Sequence, residues 1–226
     1  MVLLAGGEPV IAEASSQTGY KLTPDQLEAA ITPKTKWLIF NSPSNPTGAG
    51  YSREELKALT EVLMRHPHVW VMTDDMYQHL AYDGFEFCTP AQVEPALYDR
   101  TLTCNGVSKA YAMTGWRVGY LAAPADFVEK MTEPRHTLSI NTCTVSQFAA
   151  LAALTGPQNE MQATFREYAK RRDYLMQALT EAGLSYGAPG GAFYIYTNIS
   201  STGMNAKDFC ETLLREAGVM VFPGDM

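Results

Sequence analysis

Three short apolar runs, each followed by a polar loop, alternate with helix-forming stretches in the first half of the chain. The runs cover residues 36–40, 69–73 and 102–104, and their composition is typical of buried strands. Strands that alternate with helices predict an α/β fold with a mostly parallel sheet covered by helices. Ligands of such sheets bind beyond the carboxyl ends of the strands. We therefore expect the polar residues that follow the three runs to share one site.

Two helix starts carry a capping box, in which a hydroxyl side chain and a Glu or Gln three residues later satisfy each other's backbone amides. Thr23 and Gln26 predict a helix that ends near residue 31. Ser52 and Glu55 predict a second helix that ends near residue 65. These two helices fall between the predicted strands, as the α/β interpretation requires.

The second half of the chain is mainly helical in pattern. We predict helices over residues 125–131, 141–154, 158–182 and 205–217, and strands over residues 118–122, 192–197 and 219–222. The alanine-rich helix 141–154 should be largely buried. The basic cluster Lys170 to Arg172 should be a solvated helix face. We place a large domain in residues 1–174, ending in the long helix, and part of a smaller α+β domain in residues 175–226.

Charge and composition weigh against several classes of partner. The chain has 226 residues and a formal net charge of -7, which argues against nucleic acid and anionic membrane surfaces. No stretch approaches the length of a membrane-spanning helix. Four widely separated cysteines are typical of a reduced, cytoplasmic protein. His66 and His68 lack a third nearby ligand, so we expect no metal site.

The segment after the third apolar run carries the strongest chemical pattern. The turn Asn105-Gly106 leads directly to Ser108 and Lys109, and Arg117 follows eight residues after the lysine. A lysine at the edge of a sheet can act as an amine nucleophile. A hydroxyl and an arginine suit an anionic group such as a phosphate. Together these residues suggest a cofactor that combines an aldehyde with a phosphate.

Three motifs in the same order resemble those of a known family. The segment from Ser108 to Tyr120, S-K-A-Y-A-M-T-G-W-R-V-G-Y, resembles the cofactor-lysine segment of class I/II aminotransferases, fold-type I enzymes that use pyridoxal 5'-phosphate. The N-P-T-G stretch that begins at Asn45 resembles a second motif of the family. The stretch from Asp74 to Tyr77 resembles its Asp-x-x-Tyr motif. Each follows an apolar strand, and the resemblance extends with less specificity over nearly the whole chain.

The resemblance implies a catalytic role for a lysine, an aspartate and a tyrosine. Lys109 would form an imine with the cofactor aldehyde and later move a proton at the substrate α-carbon. Asp74 would pair with the pyridine nitrogen, since the Asp-x-x-Tyr spacing selects it over Asp75. Tyr77 and Asn45 would donate hydrogen bonds to the phenolic oxygen of the cofactor. Simpler interpretations remain open, because an aspartate can cap a helix and an asparagine before proline can shape a turn.

The resemblance also implies a phosphate site and an incomplete chain. Ser108 and Arg117 would hold the phosphate, although Gly106 stands where some family members carry a serine or threonine. Family members extend beyond both ends of this sequence. The resemblance therefore places a glycine-rich phosphate loop and a stacking aromatic residue before this chain. It places the arginine that pairs with the substrate α-carboxylate after it.

The function implied by the resemblance is amino-group transfer between an amino acid and a 2-oxo acid. The segment A-M-T-G-W-R-V-G-Y resembles the corresponding segment of the family branch that acts on aspartate and on aromatic amino acids or prephenate. The expected amino donor is therefore aspartate, glutamate or an aromatic amino acid. The resemblance also implies a homodimer. A β-lyase of the same fold type and a non-catalytic aminotransferase-like domain are the alternatives that the sequence leaves open.

Overall fold

The computed structural model describes residues 1–224, and its sheet and helices follow in chain order. The strands are β1 (Trp37–Asn41), β2 (Trp70–Asp74), β3 (Thr101–Gly106), β4 (Gly119–Ala122), β5 (Ser185–Tyr186) and β6 (Thr197–Asn198). The helices are α1 (Pro24–Ala30), α2 (Arg53–Arg65), α3 (Pro90–Val93), α4 (Ala125–Ser139), α5 (Thr144–Thr155), α6 (Asn159–Glu181) and α7 (Ala206–Ala217).

A mostly parallel sheet organises the first half of the molecule. Its strands lie in the order β1-β2-β3-β4, with β1, β2 and β3 parallel and β4 antiparallel to β3. Asn41 pairs with Asp74, and Asp74 pairs with Cys104, so three strands end side by side. The predicted α/β fold with a mostly parallel sheet is confirmed.

Both predicted capping boxes are present at the starts of α1 and α2. The hydroxyl of Thr23 accepts from the Gln26 amide, and the Gln26 side chain accepts from the Thr23 amide at 2.9 Å. Ser52 and Glu55 exchange the corresponding bonds at 3.2 and 2.8 Å. Helix α2 ends at Arg65 as predicted. Local hydrogen bonding therefore marks both helix starts where their spacing in the sequence predicts them.

The main core lies between α1, α2 and the first two strands. Leu56 and Leu63 of α2 are almost fully buried against Val69 and Val71. Burying large aliphatic side chains of this kind is the main favourable contribution to folding. Arg100 closes the edge of this core, where its guanidinium donates to backbone carbonyls including that of Leu63 at 2.8 Å.

Two predicted strands are wrong. In the predicted strand 192–197, only Thr197 pairs as a strand residue, and the amides at the start of this stretch donate to loops instead. Gly191 donates to the Gly48 carbonyl and Ala192 donates to the Leu80 carbonyl. Residues 219–222 form no strand, and the Val219 amide instead donates to a carbonyl near the end of α7. A strand requires a neighbouring strand, and none of the described residues supplies one here.

Two predicted helices differ from expectation in length or burial. Helix α4 continues to Ser139, past the predicted end near residue 131 and through Pro134. Helix α5 is not largely buried, since Ser146 and Ala150 are its only buried residues. Phe148 is 68% exposed, because no element among residues 1–224 covers that face of the helix. The second half therefore presents apolar side chains that the alanine-rich pattern assigned to the interior.

The basic cluster on helix α6 differs from the predicted solvated face. Arg172 is not part of a solvated face, because its side chain is only 9% exposed. It donates two hydrogen bonds to Asp83 at 2.7 and 2.9 Å, and its guanidinium carbon lies 4.4 Å from the Tyr82 ring centre. The predicted boundary between residues 174 and 175 falls inside this continuous helix, and the division into two domains stays a prediction. Within residues 1–224, no helix combines the length and apolar character needed to cross a membrane.

Candidate active site

Three loops leave the same edge of the sheet, after β1, β2 and β3. Adjacent strands lie about 4.8 Å apart, so residues that follow paired strand ends are neighbours. The N-P-T-G stretch follows β1, the Asp-x-x-Tyr stretch begins at the last residue of β2, and Lys109 follows β3. The sheet thus brings the three motifs to one edge, as the sequence predicted.

Asn41 ties the first loop to the second. Its side-chain nitrogen donates to the Asp74 carbonyl at 2.8 Å, and its side-chain oxygen accepts from the Asn45 amide at 2.7 Å. Asn41 therefore fixes the start of the N-P-T-G stretch relative to the end of β2. No motif in the sequence predicted a role for Asn41. Its signal was an amide side chain directly at the end of an apolar run.

Glycines allow the N-P-T-G loop to contact a distant segment. Gly48 has a φ of +71°, and its carbonyl accepts from Gly190 and Gly191 at 2.9 and 3.0 Å. A Cβ atom at Gly48 would lie 2.6 Å from Pro189, and one at Gly191 would lie 2.4 Å from Pro43. Both positions therefore require glycine, and the contact delivers the residues after Gly191 to the site.

Aromatic side chains from that segment meet the sequence-predicted residues. The hydroxyl oxygens of Tyr77 and Tyr194 are 2.7 Å apart, and the Phe193 ring lies edge-on 5.4 Å from the Tyr77 ring. The amine of Lys109 lies 5.6 Å from the Phe193 ring centre. Burial raises the pKa of Tyr77, the hydrogen bond with Tyr194 raises it further, and Asn45 opposes the increase.

The two aspartates of the second loop have different environments. Successive side chains along a strand point to opposite faces. The Asp74 carboxylate is exposed and accepts from the Met76 amide at 3.1 Å. Asp75 is 2% exposed and accepts from the Thr73 hydroxyl at 2.5 Å. Burial raises the pKa of Asp75 to about 6. The exposed carboxylate of Asp74 is accessible to a ligand, whereas that of Asp75 is enclosed by the protein.

Packing around the last residue of β3 accounts for the glycine that departs from the family pattern. Gly106 pairs with Gly119 of β4. A Cβ atom at Gly106 would lie 3.0 Å from the Val118 carbonyl oxygen and 3.1 Å from the end of the Met76 side chain. These distances are tighter than ordinary van der Waals contact, so a serine or threonine would require its neighbours to move. Local packing therefore disfavours a phosphate-binding hydroxyl at this position.

The two residues predicted to bind the phosphate, Ser108 and Arg117, are not joined to each other by a hydrogen bond. Ser108 and Lys109 are half-buried after the fully buried Val107. Arg117 is exposed, with a φ of +53°, and donates to the Thr114 carbonyl at 3.0 Å rather than to Ser108. The structure thus joins Asn45, Tyr77 and Lys109 through direct contacts or the Phe193 ring, and it leaves the Arg117 side chain outside that group.

Comparisons with known proteins agree with this arrangement. Residues 1–226 match the model of the family "Aminotransferase class I and II". The aspartate/prephenate aminotransferase of Cereibacter sphaeroides is 57% identical over an alignment of 236 residues, which covers 99% of this chain and 59% of that protein. The aspartate aminotransferase of Rhizobium meliloti is 45% identical and is covered to 57% of its length. The chain therefore spans somewhat under three fifths of these curated relatives.

Solved structures give the same assignment. The crystal structure of the aspartate aminotransferase from Rhizobium meliloti has a TM-score of 0.93 and 44% sequence identity, covering 99% of this chain and 59% of that one. The aromatic aminotransferase from Pyrococcus horikoshii has a TM-score of 0.94 and 37% identity, covering 99% and 60%. The whole-length family match, the identities and the shared fold lead to one conclusion: the chain belongs to the class I and II aminotransferase family.

Proposed function

We propose that this chain is the greater part of a pyridoxal-phosphate-dependent aminotransferase, which moves an amino group between an amino acid and a 2-oxo acid. The observation that carries the proposal is the convergence of three family motifs at the carboxyl edge of one parallel sheet. Relatives named as aminotransferases favour this reaction over a β-lyase and over a non-catalytic domain.

The chemistry of the side chains at this edge fits pyridoxal phosphate. An amine, an exposed carboxylate and a phenol hydroxyl are available on Lys109, Asp74 and Tyr77. When bound, the cofactor supplies an electron-withdrawing ring that makes the substrate α-proton removable. The Asp74 carboxylate would keep the pyridine nitrogen protonated. The amine of Lys109 would hold the aldehyde and then carry the proton to and from the substrate α-carbon.

The remaining residues would orient the cofactor. Asn45 and Tyr77 would donate to its phenolic oxygen and stabilise the anion there. Ser108 and Arg117 would hold its phosphate. The Arg117 guanidinium uses one donor on the Thr114 carbonyl, and its other N–H groups are left for phosphate oxygens.

Substrate, assembly and location extend the same proposal. The names of the relatives support aspartate, glutamate or an aromatic amino acid as amino donor. A homodimer is supported by exposed apolar side chains such as Phe148 on α5, since exposed apolar surface of this kind marks interaction sites. A cytoplasmic location is supported by four cysteines that form no disulfide. A large domain over residues 1–174 and part of a small domain over residues 175–226 complete the proposal.

Chemical trapping of the cofactor tests the site. The 226-residue chain is mixed with pyridoxal phosphate and reduced with borohydride, and the modified lysines are mapped in peptides. We expect one dominant adduct on Lys109, because this residue is half-buried and its amine lies 5.6 Å from the centre of the Phe193 ring, which packs edge-on against Tyr77. Lys109→Ala should abolish that adduct, and Lys130→Ala on α4 should leave it unchanged.

Two outcomes would count against the proposal. An adduct spread evenly over surface lysines, with Lys109 unmodified, would contradict the site. The second outcome is an adduct on Lys109 with no turnover of aspartate and 2-oxoglutarate by the whole protein that contains this sequence. This would contradict the proposed amino-group transfer or the proposed substrates.

A further inference from the structure

Tyr194 is a polar side chain in the site to which neither the motifs nor the proposed mechanism gives a role. It is half-buried, and its hydroxyl oxygen lies 2.7 Å from that of Tyr77, which is only 4% exposed. Two phenol oxygens at this distance share one hydrogen, so one of them donates and the other accepts. Which one donates decides what Tyr77 can offer to a ligand.

Hydrogen counting separates the two possibilities. A tyrosine hydroxyl has one hydrogen to donate and two lone pairs that accept. If Tyr77 gave its hydrogen to Tyr194, it would have none for a cofactor oxygen. Without a ligand, the bond with Tyr194 raises the pKa of Tyr77, as donation by Tyr77 does. Once Tyr77 gives its hydrogen to the phenolic oxygen of the cofactor, the 2.7 Å contact is kept as a hydrogen bond only if Tyr194 donates to a lone pair of Tyr77.

We propose that Tyr194 is a positioning residue, which donates to the Tyr77 hydroxyl and thereby directs the Tyr77 hydrogen at the phenolic oxygen of pyridoxal phosphate. This inference rests on the proposed function, because it assigns a role toward the same cofactor. Hydrogen bonds in a chain polarise one another, so the bond from Tyr194 strengthens the donation by Tyr77. Tyr194 acts on the cofactor only through Tyr77.

The backbone on either side of Tyr194 is held firmly enough for this task. Ala192 is fully buried, its amide donates to the Leu80 carbonyl at 2.9 Å, and its carbonyl accepts from the Tyr82 hydroxyl at 2.6 Å. The Tyr82 ring lies beneath the Arg172 guanidinium of α6. The long helix and the loop after β2 therefore both anchor the backbone that carries Tyr194.

Ring packing fixes the direction of the side chain itself. The rings of Phe193 and Tyr194 lie 4.7 Å apart, and Phe193 stacks on Tyr168 of α6 at 5.5 Å. The Tyr77 and Tyr194 rings meet edge to face at 5.7 Å. Because these contacts involve the rings and not the hydroxyl, Tyr194→Phe should keep the packing and remove only the hydrogen bond.

The test is a pH titration of the visible absorbance of bound pyridoxal phosphate in the wild-type chain and in phenylalanine variants. Donation to the phenolic oxygen stabilises its anion, so loss of donation raises the pH midpoint of the titration. We expect Tyr77→Phe to raise the midpoint by about one pH unit and Tyr194→Phe by about half a unit. The double variant should match Tyr77→Phe alone, because Tyr194 acts through Tyr77.

Tyr186→Phe is the matched control, because its hydroxyl donates to the Met176 carbonyl at 3.0 Å, in α6 and outside the site. Its titration should coincide with that of the wild-type chain. An unchanged pH midpoint in Tyr194→Phe would overturn the inference. So would a midpoint shift in the double variant equal to the sum of the shifts in Tyr77→Phe and Tyr194→Phe. If the adduct on Lys109 forms equally in the wild-type chain and Tyr194→Phe, failure of the titration leaves the proposed function standing. Absence of the adduct from the wild-type chain overturns both.

Discussion

The two halves of the molecule bury their apolar residues very differently. In the sheet half, residues 21–106, α1 and α2 pack on the strands, and Leu56, Val62 and Leu63 are no more than 2% exposed. In the helical half, residues 125–217, helices α4, α6 and α7 contain no buried residue among those described. The first half completes its core from its own sequence, whereas the second half does not.

The residues of the candidate site therefore depend on the sheet-half core to different degrees. Asn45, Asp74, Tyr77 and Lys109 leave strand ends that the sheet-half core supports. Tyr194 comes from outside that core and is held by local hydrogen bonds and ring contacts. A change in the sheet half should therefore alter global stability, and a comparable change in the helical half should act locally.

The largest contrast is expected for leucine truncations in the two halves. Leu56→Ala leaves a cavity in a closed core and should lower the free energy of unfolding by about 2–5 kcal/mol. Leu151→Ala on α5 removes a side chain that is 56% exposed and should change it by less than about 0.5 kcal/mol. Urea unfolding of the 226-residue chain, followed by circular dichroism, measures both. Equal losses would show that the two halves share one core.

The sequence predicted the sheet half well because its signals are local. Thr23 with Gln26 and Ser52 with Glu55 form the hydrogen bonds that their spacing indicated. The helical half was predicted less well, since periodicity shows which face of a helix is apolar but not whether another element covers it. That is why α5 was expected to be buried and Phe148 is exposed. The strand predicted over residues 192–197 failed for a related reason, because the Gly191 and Ala192 amides at its start donate to loops distant in sequence.

A pH-dependent stability is expected from Asp75, which lies in the sheet half. Burial raises its pKa to about 6, so the folded chain holds a proton that the unfolded chain releases near pH 4. The contribution of this group is most favourable below about pH 4 and is lost as the pH rises to about 6. The loss should reach at most about 3 kcal/mol.

The matched variant for this prediction is Asp75→Asn, which has the same shape and no ionisable group. Urea unfolding at several pH values between 4 and 7 should show wild-type stability falling relative to the variant. The fall should be concentrated between pH 4 and 6, where the two states bind different numbers of protons. Parallel curves for the two proteins would mean that the Asp75 carboxylate is not enclosed as the structure indicates.

Site residues that belong to a sequence motif could be predicted, and those that only the fold brings to the site could not. Asp-x-x-Tyr spacing selected Asp74 over Asp75, and the structure adds that the Asp74 carboxylate is exposed while its neighbour is enclosed. The assignment of Asp74 to the cofactor stays a prediction. Asn41 and Tyr194 could not be found by spacing, because their partners lie 33 and 117 residues away in the chain. Only the paired strand ends and the glycine contact at Gly48 bring them into the site.

The smallest contrast is expected for the caps of α2 and α7. Ser52 accepts from the Glu55 amide at 3.2 Å, and Asn205 accepts from the Asp208 amide at 2.9 Å. Loss of either cap costs its helix about 1 kcal/mol. Because α2 is packed in the core, Ser52→Ala should lower the free energy of global unfolding by that amount.

Helix α7 has no buried residue, so the same loss should stay local. Asn205→Ala should leave the urea midpoint unchanged within error and speed hydrogen exchange of the α7 amides about fivefold. Helices that open independently in this way report their own stability and not that of the whole chain. If Asn205→Ala lowered the urea midpoint as much as Ser52→Ala, α7 would unfold together with the sheet-half core. The helical half would then be joined to that core by contacts stronger than its exposed surface suggests.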